Sequence, residues 1–482
     1  MIARHNILDL LGSDKRKYHS CIITCYSFDF IFFEQRVLPK LRQAGITNIN
    51  IYVDASQFEK QINSFIGSEI LDYKAGYSIT PIKMTGAFHP KVLLAVGKTK
   101  GFLAVGSGNL TSSGLSSNEE IWGSFYITET DKTTEPFFKE VTTYLKKLES
   151  FVFGTNLLKL NWIKENSNWF ADVLENDNNT KKIVTKDEVF QMLFTYQEQS
   201  IYKSLIDKLP KKPKSIKILS PYYNTNGAFI DKIIQDIQPQ EIHCIVDPLY
   251  GSIPHKNENK NKIEFSDWNN LKRSEKYSTN RLHAKAIQFE YETETYFLFG
   301  SANATNEAFG VNSSSSINAE VSILAHNNKP KDYFNELGIN FPKKGNYSIE
   351  EYDYKSHFES NENDRLKYPV FINNVEIDGN EITLYLENKV DNSVIINVED
   401  ANGLNIFSQN LDSLDKKSSI NIESNILIKP FRLAIFSNEL RLSNYALIHQ
   451  KAFLLNTNPA GQPTGSALGF LRKDNQAGQN IV

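Results

Sequence analysis

The chain has 482 residues, 40% hydrophobic, 12% aromatic and 23% charged, with a net charge of −3. That composition excludes a disordered or collagen-like chain, and the length suggests about three domains. No apolar run approaches the roughly 18 residues of a membrane-spanning helix, the N-terminus MIARHNILDLLGSDKRKYHS lacks a signal core, and Cys21, Cys25 and Cys244 form no CxxC pair, so a cytoplasmic protein without disulfides or a cysteine zinc site is expected.

In chain order, CIITCYS (21–27) reads as a strand, FIFFEQRVLPKLRQAG (30–45) as a helix with a kink at Pro39, and NINIYVDA (48–55) as a second strand. The same order returns with SIKILSPYY (215–223), GAFIDKIIQDI (227–237) and EIHCIVDP (241–248). Alternating strand and helix predict an α/β fold, and the recurrence predicts an internal duplication. Between the copies, 187–209 reads as a helix and LPKKPKS (209–215) as a linker. From about residue 346 short alternating strands with turns at Asp378-Gly379 and Asn402-Gly403 predict an all-β domain, a sandwich or small barrel. Charge follows this division: residues 346–482 carry 12 Lys+Arg against 18 Asp+Glu, leaving 41 against 38 in residues 1–345. The expected organisation is therefore an N-terminal half (1–150), a helical connection (151–212), a C-terminal half (213–345), a β accessory domain (346–455) and a flexible tail (456–482).

The chemistry lies in a repeated constellation. FHPKVLLAV-GKTKG-FLAVGSGNLT contains His89, Lys91, Ser107 and Asn109; LHAKAIQFE-YETET-YFLFGSANAT contains His283, Lys285, Ser301 and Asn303. Each reads HxK, fourteen residues, then GSxN, and each is followed by Asn-x-Glu, ending at Glu120 and Glu320. His and Lys two apart on a strand share one face. Fourteen residues allow that strand, a tight turn and a returning strand that brings GSxN alongside. Gly106 and Gly300 permit close backbone approach, and the next segment could start a helix whose amides face a phosphate. Two such units face to face would set two imidazoles, two ammoniums and two Asn amides around one tetrahedral anion. Lys91 and Lys285 would neutralise it; Ser107, Ser301, Asn109 and Asn303 would donate hydrogen bonds to it. Glu120 and Glu320 are expected to accept a hydrogen bond from His Nδ1.

These motifs resemble the HKD motifs of the phospholipase D superfamily over roughly residues 15–330. The resemblance implies two α/β halves sharing one active site, no metal or other cofactor, and a covalent phosphohistidine intermediate. It also implies a hydrolase acting on phosphodiesters of lipids, nucleic acids or protein–DNA adducts. The family's Asp falls at Val96 and Glu290 here, a departure shared with some phosphodiesterases that act on DNA. The expected function is a metal-independent nuclease, on DNA rather than RNA, and the layout resembles restriction and phage-defence endonucleases. A phospholipase D or transphosphatidylase acting on lipids is the first alternative, and an inactive scaffold recruiting a partner the second. By resemblance His89 is the nucleophile and His283 the acid. The β domain is the candidate surface for a protein partner such as a helicase or ATPase, and a homodimer stays open. The stretch 249–281, with Trp268 and Tyr277, is read as a substrate-flanking loop suited to phosphate contact and base stacking. The other histidines show no metal-ligand spacing and receive no role.

Overall fold

The computed structural model describes residues 6–67, 76–175, 181–271, 280–311, 317–351, 368–422 and 430–455. Tyr277 and the tail from 456 lie outside them.

The strand Ser20–Cys25 is buried along its whole length and runs through the middle of the first sheet. It pairs in parallel with Asn48–Asp54, which pairs in parallel with Tyr77–Ile82. On its other side come the antiparallel strands Val92–Val96, Lys100–Gly106 and Trp122–Thr128. A strand apolar on both faces needs cover on both. Ile23, Ile49 and Ile51 pack under the helical run Phe30–Gln43, and Ile22 and Tyr52 pack under the helix Glu135–Lys147. The run Phe30–Gln43 widens into a π turn at Phe33–Val37, just ahead of Pro39, which has no N–H to offer the ladder.

The second sheet repeats this order. Glu264–Asp267, Glu241–Val246 and Ser215–Leu219 are parallel, followed by the antiparallel strands Ala286–Glu290, Thr295–Gly300 and Glu320–Asn327. The duplication inferred from sequence is thus a duplication of topology. Two further strands, Glu188–Thr195 and Lys182–Val184, extend the second sheet. The helix expected over 187–209 is therefore mostly strand: the only helix there is Ile201–Ile206. A short apolar run such as EVFQMLFT fits either period, and its pairing along all of Glu320–Asn327, which covers an edge that would otherwise stay open, decides it. The halves are fused, since Val105 and Ile127 of the first share a core with Val321, Ile323, Met192 and Phe194 of the second. The second half also reaches past residue 345, where the Tyr347 amide donates to the Phe265 carbonyl at 3.1 Å.

The described residues of the stretch 249–281 are not all loop. They include the edge strand Glu264–Asp267, and Trp268 is buried with its indole N–H donating to the Asn280 carbonyl at 2.9 Å. That placement removes Trp268 from the surface, so it cannot stack on a substrate.

The described strands between Ile372 and Gln450 form one continuous sheet around a shared core of Val375, Ile382, Leu384, Ile396, Val398, Leu433 and Ile435. This unit docks on the first half through buried polar groups. The Ile79 amide donates to His449 Nε2 at 3.1 Å, the Thr155 amide to Glu376 at 2.9 Å, and Arg432 bridges Glu399 and Asn63. Among the described residues no helix is long and apolar enough to cross a membrane.

Candidate active site

Both HxK motifs lie in extended chain immediately before a strand, not inside it: Val92–Val96 follows Lys91, and Ala286–Glu290 follows Lys285. Their backbones are held by the opposite half. The His89 amide donates to the Ala319 carbonyl at 3.0 Å, and the His283 amide to the Glu119 carbonyl at 3.1 Å. Leu282 and Arg281 pair in parallel with Glu119 and Asn118. Each HxK thus lies against the Asn-x-Glu of the other half, related by an approximate twofold axis.

The side chains are crossed in the same way. His89 Nδ1 lies 2.9 Å from Glu320 Oε2, and His283 Nδ1 lies 2.8 Å from Glu120 Oε1. The first contact is a well-aligned hydrogen bond; the second has the distance but not the angle, leaving His283 Nδ1 without a good partner. Each glutamate is steadied within its own half. Asn118 and Asn318 donate to Glu120 and Glu320 at 3.3 Å, which accounts for the Asn in Asn-x-Glu. Ser107 donates to Glu120 at 2.5 Å, and Ser301 donates to Glu320. Both serines are fully buried, and they also accept the Ile121 and Val321 amides. Their hydroxyl protons are therefore committed to the carboxylates. The expectation that Ser107 and Ser301 donate to a bound phosphate gives way to a positioning role.

Lys91 Nζ donates to the His89 carbonyl at 2.6 Å and Lys285 Nζ to the His283 carbonyl at 2.5 Å. Each ammonium keeps further protons for an anion, since Lys carries three donors. Gly106 and Gly300 are required by space: an added Cβ would lie 2.4 Å from the Ile121 and Val321 carbonyl oxygens respectively. Among the described residues only the single turns Ser113–Ser117 and Asn306–Phe309 follow, too short to offer the expected helix N-terminus to a phosphate.

The two Asn residues differ. Asn109 Oδ1 accepts from the Tyr26 amide at 3.2 Å, which fixes the amide group. In the second half the corresponding position, two before the bridged residue Tyr223, is Pro221, which has no N–H, and Asn303 Oδ1 is buried without a partner. Sequence reasoning missed four supporting residues. The Tyr26 ring packs edge-on against His89 at 5.1 Å. Asp54 caps the helix Ala55–Ser64 and accepts the Phe88 amide at 2.9 Å, anchoring the first HxK. Tyr222 and Arg281 meet at 2.7 Å beside the second HxK. A signal for Asp54 lies in the sequence, since Val53-Asp54 and Val246-Asp247 recur at the ends of corresponding strands ahead of the two motifs.

Burial sets the electrostatics. His89 is pushed well below the usual imidazole range by burial and then by Lys91, Lys285 and His283. His283 falls to about 4 by burial, against the pull of Glu120. Burial also pushes Lys91 well down and Lys285 to about 8. Glu320 is raised to about 7 by burial, whereas Glu120, which burial would also raise, is held below its usual range by His283 and Lys285. Burial disfavours the charged forms of both histidines and both lysines, and a bound anion would favour them.

A pH dependence follows. An anion between the lysines raises the proton affinity of Lys285 and Glu320, so binding takes up protons and weakens as pH rises through about 7 to 8. Titration calorimetry with tungstate, in two buffers of different ionisation enthalpy, should show net proton uptake and an affinity that falls across that window. A flat affinity would mean that neither group faces the anion.

No family model and no curated protein matches the chain. Similar solved structures include the yeast tyrosyl-DNA phosphodiesterase, 13% identical over 66% of this chain and 86% of that one, with a TM-score of 0.41. Polyphosphate kinase from Porphyromonas gingivalis is 10% identical over 66% of this chain and 45% of that one, with a TM-score of 0.34. NucT from Helicobacter pylori is 24% identical over 30% of this chain and 87% of that one, with a TM-score of 0.21. Likenesses this distant do not bear on activity.

Proposed function

We propose that the chain is a phosphodiesterase with the chemistry of the phospholipase D superfamily, acting on nucleic acid. The observation that carries this reading is the crossed pairing of two His–Glu couples, one buried and one largely so, around two buried lysines.

A phosphodiester entering between Lys91 and Lys285 has its charge neutralised by both. Neutral His89, its Nδ1–H turned to Glu320, presents the Nε2 lone pair to phosphorus. As the P–N bond forms and the bond to the leaving oxygen breaks, the ring gains positive charge. Glu320, accepting the Nδ1–H hydrogen bond as a carboxylate, offsets that charge, and no proton leaves the couple. Substrate charge lifts His283, which ionised Glu120 also favours, and His283 gives its proton to the leaving oxygen. Water then attacks the phosphohistidine with His283 as base, the P–N bond breaks, and His89 returns neutral. The difference between Glu320 and Glu120 supports His89 as nucleophile and His283 as acid.

Arg281, two residues before His283, joined to Tyr222 and lying against Tyr250, suits a nucleic-acid phosphate and base better than an acyl chain. The intact couples weigh against an inactive scaffold. Restriction or defence remains a proposal from the layout of two halves with an appended β unit, in which the β unit would meet a partner ATPase or helicase.

The test is incubation of the protein with labelled DNA, RNA and phospholipid in EDTA. Cleavage of nucleic acid should survive chelation, since the lysines supply the positive charge that a metal supplies elsewhere. Activity lost to EDTA and restored by Mg²⁺, or cleavage of phospholipid alone, would overturn the reading.

A further inference from the structure

The turn after Glu241–Val246 holds two large apolar side chains in solvent beside the second HxK: Leu249 is 60% and Tyr250 48% exposed. The turn is rigid. Buried Asp247 accepts the Leu249 and Tyr250 amides at 3.2 Å through Oδ1, and its carbonyl accepts the Gly251 amide at 2.8 Å. Gly251 cannot carry a side chain, since a Cβ would lie 2.0 Å from the Pro221 carbonyl oxygen. Arg281 lies against the Tyr250 ring, 5.2 Å from its centroid, and donates to the Tyr250 carbonyl at 2.9 Å and the Tyr222 hydroxyl at 2.7 Å. Its Nε is buried with no acceptor. The first half has no such feature, because its chain passes from Asp54 directly into the helix Ala55–Ser64.

We propose that Leu249, Tyr250 and Arg281 form a stacking subsite for an unpaired nucleobase on the leaving-group side of the scissile phosphate. The inference rests on the phosphodiesterase reading and its assignment of His283 as acid. A flat ring held by its own backbone and flanked by a guanidinium is a preorganised surface for another flat ring, and base–aromatic stacking tolerates any sequence. An acyl chain would instead need a continuous apolar surface, which the guanidinium interrupts. The side follows from in-line displacement. The nucleophile and the leaving oxygen lie opposite each other across phosphorus, so the leaving oxygen faces His283. Arg281 is two residues from His283 on the same extended segment.

Single-stranded oligonucleotides with one abasic nucleotide, placed on either side of the cleaved bond, test this in the full-length protein. The wild type should lose about ten-fold or more in kcat/KM for an abasic leaving-side nucleotide, the size expected of one lost stack. In Tyr250→Ala that penalty should vanish, and in Tyr250→Phe it should return. A penalty unchanged in Tyr250→Ala, no penalty at any position, or a penalty confined to the other side would each overturn the subsite while leaving the phosphodiesterase reading intact. Failure of the wild type to cut any nucleic acid would overturn both.

Discussion

His283→Ala should accumulate an acid-labile phosphoenzyme on His89, and His89→Ala should not. Removing the acid leaves the nucleophile able to attack a substrate with a good leaving group, but the second step then lacks the base that activates water. Each single mutant should lose turnover by a factor on the order of 10³ or more, because each removes a group without which the cycle cannot close. The double mutant should be little worse than either, since residues that act as a unit are not additive. The geometry sharpens this expectation. Each couple spans both halves, His89 with Glu320 and His283 with Glu120, so the two histidines belong to one site rather than to one half each. Acid quenching and peptide mapping would locate the adduct. An adduct on His283 reverses the roles. No adduct in either mutant, with inversion at phosphorus, rules out a two-step route.

The second large effect concerns the lysines. Lys91→Met and Lys285→Met should each cost about 2.7–4 kcal/mol of transition-state stabilisation, or roughly 10²–10³ in kcat, the usual cost of removing one preorganised donor at a developing anion. The same substitutions should leave the melting temperature at or above that of the wild type. Both ammoniums are buried, burial pushes both below their usual range, and Lys285 adds to the cost of Lys91. An apolar side chain of similar length removes that cost, an exchange of stability for function common at active sites. Near-wild-type rates in either mutant would show that the halves do not share one site. A large fall in melting temperature would show that the lysines are structural.

Much of this was legible in the sequence because the signals were local or repeated. The β-branched runs at Ser20–Cys25 and Ser215–Leu219 are long enough and apolar enough to be strands in any context, and they came out as such. The spacing of HxK to GSxN was readable as a hairpin because one strand, one tight turn and one returning strand consume its fourteen residues, as Val92–Val105 and Ala286–Phe299 do. The 187–209 run was misread because its period was ambiguous and its partner strand lies more than a hundred residues away.

The sequence by itself determined which residue types gather at the site: two histidines, two lysines and two glutamates, because each copy of the repeat carries one of each. Tertiary structure alone decided how they pair. Nothing in the spacing says that His89 meets Glu320 and His283 meets Glu120, since each His also has a glutamate in its own copy. The crossing arises because each HxK segment hydrogen-bonds to the Asn-x-Glu segment of the opposite half, which only docking of the two sheets can bring about. The serines and the asparagines were settled in the same way. A hydroxyl proton goes to the nearest buried carboxylate, and an amide oxygen is satisfied or orphaned according to whether the backbone opposite carries an N–H, as at Tyr26, or a proline, as at Pro221. Both outcomes are fixed by distances between chain segments far apart in sequence, and local sequence carries no record of those.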